Sequence, residues 1–186
     1  HQLVLDIEKA NTINDLRQLH ERIQQLIVHM TGTGIDIREL VRLIAHLNDQ
    51  VIIRLIALLR AEKYPHLTQD FAFVVMGSEG RSEQTLSTDQ DNAIIYADTL
   101  SDDELAVLEA FSIDLIDAII AIGIPPCSGG IMAKNPAWRR SLGSWKQELN
   151  RWLSTPVPAN IMLGSMFMDF RILHGDVRLE QALRQH

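Results

Sequence analysis

The stretch Phe71-Ala-Phe-Val-Val-Met-Gly77-Ser-Glu-Gly-Arg-Ser-Glu-Gln-Thr-Leu-Ser-Thr-Asp89-Gln-Asp91-Asn-Ala-Ile-Ile-Tyr96 decides how this chain is read. Its first six residues are apolar, aromatic or β-branched, and Gly77 closes them off. That pattern predicts a buried strand over 71–76. Ala93-Ile-Ile-Tyr96 predicts a second strand. Between them lies a polar, glycine-containing segment that a sheet could hold in place.

The polar segment carries two groups of residues with distinct chemistry. Gly77-Ser78 with Gly80-Arg81 directly follows the first strand and opens a short helix. Small residues let a phosphate approach the backbone, and free N–H groups at a helix N-terminus bind it. Ser78 adds a hydroxyl, and Arg81 a cationic fork. By itself the same pattern also reads as a tight strand-to-helix turn with a surface arginine. Asp89 and Asp91 form the second group. Residues i and i+2 of a strand share a face, so the two carboxylates converge. Such a pair repels itself unless a cation or proton lies between its members, and Mg²⁺ takes one or two carboxylates with water and phosphate oxygens. Alone, Asp-x-Asp also reads as a solvated acidic turn.

Outward from this segment the chain is mostly helical. Leu16, Leu19, Ile23, Leu26, Ile27 and Met30 follow one helix face. Thr12 with Asp15 starts that helix, and Thr31-Gly-Thr-Gly34 stops it. Asp36 with Glu39 opens a second, with Leu40, Ile44, Leu47, Val51, Leu55 and Leu58 on its stripe. Two long helices joined by a short turn predict an antiparallel hairpin. Ser101 with Glu104 caps a third helix to about Ile122. Gly129–Ala133 is a further strand candidate. Asn135-Pro136 starts a helix whose seam, Trp138, Leu142, Trp145, Leu149 and Trp152, reads as core packing. A last helix is expected from about Ala159 to Leu173, after which Gly175-Asp176 turns the chain.

Composition sets the outer limits. The chain has 186 residues, 46% of them apolar, enough to bury a core without disulfide or metal staples. Seventeen basic against 24 acidic residues give a net charge of −7, which argues against a general nucleic-acid binder. A single cysteine, Cys127, excludes an internal disulfide framework and points to a reducing, cytoplasmic setting. The apolar run Val51–Leu59 is short and contains Arg54, so no membrane span is expected. His1 at the start and a helix-like end suggest an excised piece of a longer protein. The seven histidines show no close metal-ligand spacing.

Taken together, a strand, Gly-Ser, ten residues, and Asp-x-Asp entering a second strand resemble the signature of the DNA polymerase β superfamily of nucleotidyltransferases. More narrowly, Gly77-Ser-Glu-Gly-Arg-Ser-Glu83 and Thr88-Asp-Gln-Asp-Asn92 are similar to a bacterial nucleotidyltransferase family related to the PII-protein uridylyltransferase. Its members are often fused to upstream CBS and cyclic-nucleotide-binding domains. Leu47-Asn-Asp49, the block Cys127–Trp138 and Phe167-Met-Asp-Phe-Arg171 match as well. The resemblance implies an α+β fold: an N-terminal helical hairpin over 1–62, a small mixed-sheet nucleotidyltransferase core over 63–155, and the start of a truncated C-terminal helical, substrate-binding domain over 156–186.

It also implies a function. Gly77 and Ser78 would contact the phosphates of an NTP, with Gly80, Arg81, Glu83 and Lys134 as further nucleotide-binding candidates. Asp89 and Asp91 would be the catalytic, Mg²⁺-binding pair. The reaction would move a nucleoside monophosphate from NTP to a hydroxyl, which by analogy with the related uridylyltransferase could be on a regulatory protein in a signal-transduction chain. Two features depart from the superfamily. Gln90 replaces the usual apolar residue between the acids, and Ile122–Ile131 contains no third carboxylate. Asp169 and Asp176 are the available substitutes, although an ion pair of Asp169 with Arg171 or Arg140 is the plainer expectation. The alternative function is therefore a catalytically inactive nucleotide-sensing or protein-interaction module in a CBS-containing signalling protein.

Overall fold

The computed structural model describes residues 2–76 and 90–186. Among them it contains seven α-helices and a four-stranded mixed sheet, the α+β class expected. The N-terminal region has one helix more than the hydrophobic pattern suggested. A short α1 (Gln2–Lys9) precedes the hairpin and buries Leu3 and Ile7, four residues apart. Then come α2 (Ile13–Thr31) and α3 (Ile37–Glu62). Thr12 caps α2 by accepting from the Asp15 N–H at 3.0 Å, and Asp36 caps α3 through the Arg38 N–H at 2.9 Å. Ser101 and Glu104 form a reciprocal capping box on α4 (Asp102–Ile122).

Strands β1 (Phe71–Met76) and β2 (Asn92–Tyr96) appear where the apolar runs predicted them, and they pair antiparallel. Beyond this hairpin the sheet order is β3-β2-β1-β4. Alternation along β1 feeds two cores. Phe71, Phe73 and Val75, with Ile94 of β2, pack against α1–α4. Ala72, Val74 and Met76, with Ala93 and Ile95, pack against the tryptophans and the C-terminal helices. The sheet is thus the middle of three layers, which explains why every β1 residue is buried.

Three expectations change after Gly123. Residues 129–133 are loop, not strand. The parallel neighbour of β2 is β3 (Arg139–Ser141). Asn135 does cap, accepting from the Ala137 N–H at 3.1 Å, but it starts only a 3-10 turn, Pro136–Trp138. Arg139 then turns back to donate to the Ala133 and Lys134 carbonyls, and the chain adds to the sheet edge before Ser141 caps α5 (Leu142–Ser154). The tryptophan seam survives this interruption. Trp138, Trp145 and Trp152 are all buried, with ring centroids 5.7 to 6.4 Å apart, so the core reading holds.

The last expected helix splits. α6 covers Pro158–Met168, and β4 covers Phe170–Gly175, antiparallel to β1. Pairing along the open side of β1 outweighs local helix propensity there. Gly175 ends the strand at φ +106°, where a Cβ would lie 1.9 Å from the Phe71 carbonyl oxygen, so no other residue fits. Asp176 then caps α7 (Val177–Arg184). No described helix is long and apolar enough to cross a membrane.

Candidate functional site at the end of the β1–β2 hairpin

Antiparallel pairing brings the C-terminal end of β1 beside the N-terminal end of β2. The Met76 N–H donates to the Asp91 carbonyl at 3.0 Å, and Val75 faces Asn92. Six predicted site residues, Gly77, Ser78, Gly80, Arg81, Glu83 and Asp89, lie outside the described residues. Asp91 is described, and it is half-buried where β2 begins.

The other edge of this strand start is clasped by the loop after α4. The Gln90 N–H donates to the Pro125 carbonyl at 3.0 Å, and the Asn92 N–H to the Ile131 carbonyl at 3.1 Å. The Asn92 side chain is fully buried; its Oδ1 accepts from the Ala133 N–H at 2.7 Å and its Nδ2 donates to Gln90 Oε1 at 2.9 Å. Arg139, almost wholly buried, holds the same loop by donating to the Ala133 carbonyl at 2.8 Å. Asp91 therefore stands on a backbone bonded from both sides, which fixes where its carboxylate can reach.

Cys127 lies in that loop, half-buried. Burial pushes its thiol pKa up, and its hydrogen bond to the Asp91 carboxylate pushes the same way. The sulfur is a protonated donor at neutral pH, the opposite of an activated nucleophile. Its S–H is directed at the Asp91 carboxylate.

A third element closes the site. Arg171 on β4 makes a two-pronged ion pair with Asp49 on α3, Nε to Oδ2 at 2.8 Å and Nη2 to Oδ1 at 2.9 Å. These residues are 122 apart in sequence. With Asn48, Gln90, Asp91 and Met76 they line a pocket of about 60 Å³ between α3 and the strand ends. No spacing rule could pair Asp49 with Arg171. The only sequence signal was that both fall in blocks matching the family resemblance.

The remaining candidates go elsewhere. Lys134 extends to Asp117 on α4, Nζ to Oδ1 at 3.1 Å, on the exposed outer surface and not in the pocket lining. Asp176 is at the far end of β4, capping α7 and paired with Arg178. Asp169 is exposed at the near end, just before Phe170, which faces Met76. The ion pair expected for it is not the one formed by either arginine: Arg171 holds Asp49, and Arg140 holds Glu148.

Among the described residues no group of three or more His, Cys, Asp or Glu is gathered as a metal cage. The donor chemistry at Asp91 suits a hard cation that keeps most of its positions for water and substrate oxygens. The neighbouring thiol does not ligate such an ion, since soft sulfur suits softer metals.

Comparison with known proteins gives one family. The model described as "Putative nucleotidyltransferase DUF294" matches residues 21–159, more than half of the chain. The matched span includes the β1–β2 hairpin, Asp49, Asp91 and Cys127, and ends before β4. No curated protein matches the chain.

Proposed function

The chain belongs to this nucleotidyltransferase family, and on that premise we propose that it transfers the nucleoside monophosphate of an NTP to an acceptor hydroxyl. The observation that carries the reading is the meeting of Asp91 with the end of β1. It joins the Asp-x-Asp element of the sequence to the strand that leads into Gly77-Ser78. In the proposed reaction the acceptor oxygen bonds to the α-phosphorus. The bond from that phosphorus to the β-phosphate oxygen breaks, pyrophosphate leaves with the electron pair, and the hydroxyl proton passes to solvent.

Asp89 and Asp91 are the residues assigned to Mg²⁺, which when bound neutralises phosphate charge and favours in-line displacement. Gly77 and Ser78 are assigned to the triphosphate, with Arg81 as a cationic contact. Cys127 and the Asn92 clasp keep the Asp91 carboxylate in one orientation. The acceptor class we assign is a hydroxyl on a regulatory protein, with attached regulatory domains setting when transfer occurs. Pyrophosphate release from NTP in the presence of the acceptor protein tests this. Asp91→Asn should abolish release, and release that persists in the variant would refute the assignment.

One observation favours a second reading, nucleotide sensing without transfer. The loop beside β2 carries no carboxylate from Ile122 to Ile131, Asp176 is far from the hairpin end, and Asp169, at the near end, is exposed and outside the pocket lining. A sensor binds NTP with metal and releases no pyrophosphate, so the same assay separates the two.

A further inference from the structure

Gln90, between the two acids, is only 5% exposed, and the direction of its amide is fixed by a chain of bonds rooted in the backbone. The Ala133 N–H can only donate, so the Asn92 atom it meets at 2.7 Å is the oxygen. Asn92 then turns its NH₂ end to Gln90, and the Gln90 atom that meets it at 2.9 Å is also the oxygen. Gln90 Nε2 is left as a buried donor at the pocket beneath α3, with no acceptor among the described residues. Native proteins rarely leave such a group unmatched.

The pocket limits what can match it. About 60 Å³ is room for roughly two waters and too little for a nucleobase. Asp49 is neutralised by Arg171 in the same lining, but a phosphate oxygen in the pocket would still face the Asp91 carboxylate. A hydroxyl satisfies both demands: it accepts from Gln90 Nε2 and donates to a carboxylate. The pocket also adjoins Asp91, the residue assigned to the metal–phosphate end of the nucleotide. We infer that it binds a ribose hydroxyl of the NTP, and that Gln90 makes the protein select ribonucleotides. The inference rests on the nucleotide-site reading above.

Calorimetric titration of each of the four NTPs with Mg²⁺, alongside its 2′-deoxy and 3′-deoxy forms, tests it. The ribonucleotide should bind about tenfold tighter than one of the deoxy forms, as expected for one hydrogen bond to a buried donor. Gln90→Glu keeps the oxygen that Asn92 needs and removes the donor; Gln90→Met removes both. Each should bring the ratio close to one while the protein still unfolds cooperatively on heating. Equal binding of ribo and deoxy forms by the wild type, with the pocket holding water only, overturns this inference and leaves the nucleotide site standing. A ratio that persists in both variants overturns it too. Failure of every NTP to bind refutes the nucleotide-site reading itself, and this inference falls with it.

Discussion

Lowering the pH should destabilise this protein through one histidine on β4. His174 packs against Phe71 with tilted rings, centroids 5.7 Å apart, and its Nε2 lies 3.0 Å from Arg60 Nη1. A guanidinium can only donate, so Nε2 accepts and the ring is neutral, its proton on Nδ1. Burial, and then the Arg60 charge, push its pKa down from 6.5 to about 4. The unfolded chain takes up the proton near 6.5, whereas the fold resists it until about 4. The stabilisation is therefore fully present above 6.5 and is lost as pH falls through that window. The gap corresponds to about 3 kcal/mol at most, and solvent screening at a half-buried site lowers the expected value to about 2 kcal/mol. Urea unfolding at pH 7.5 and at pH 4.5, for the wild type and His174→Gln, isolates this term. Glutamine still accepts from Arg60 but does not titrate. The wild type should lose about 2 kcal/mol more than the variant between the two pH values. His20, also depressed by burial, is common to both proteins and cancels. Equal losses would refute the reasoning.

Three further outcomes follow from the packing. Asp49→Asn should cost about 2–3 kcal/mol in urea unfolding by leaving Arg171 with half its partner, and adding Arg171→Met should recover part of that loss. Strictly additive losses would show that the pair is not coupled. Gly175→Ala should lower stability by about 3 kcal/mol, since a Cβ there meets the Phe71 carbonyl at an unfavourable φ; a thermal midpoint within a degree or two of wild type would contradict the close approach. Cys127 should react with a thiol reagent more slowly than free cysteine at pH 7, and faster in Asp91→Asn, where the bonded carboxylate is gone. Unchanged reactivity in that variant would remove the Cys127–Asp91 contact from the account.

How much of this was legible in the sequence depends on how local each feature is. Phe71–Met76 and Ala93–Tyr96 announce themselves because buried strands need apolar and β-branched residues in short runs. The α2, α3 and α4 starts were legible because their caps are made within three residues of the helix. β4 was read as helix because Phe170–Leu173 carries no breaker; what makes it a strand is β1, nearly a hundred residues earlier in the chain. β3 is only three residues, two of them arginines, and exists because β2 offers an edge. The tryptophan seam was legible as core even though a strand interrupts it, since burial follows residue type more closely than backbone state. At the candidate site, spacing singles out Asp91, and the structure places it beside the end of β1. The Asp49–Arg171 pair and the direction of the Gln90 amide could not be found from spacing, because each depends on partners that only the tertiary fold supplies.

The most direct test of the central claim is calorimetric titration of the four NTPs, with and without Mg²⁺, against the wild type and the Asp89→Asn/Asp91→Asn double variant. The wild type should bind at least one NTP in a metal-dependent way, and a well-folded double variant should bind none. Wild-type protein that is folded and binds no NTP, or a variant that binds as tightly as wild type, would contradict the claim.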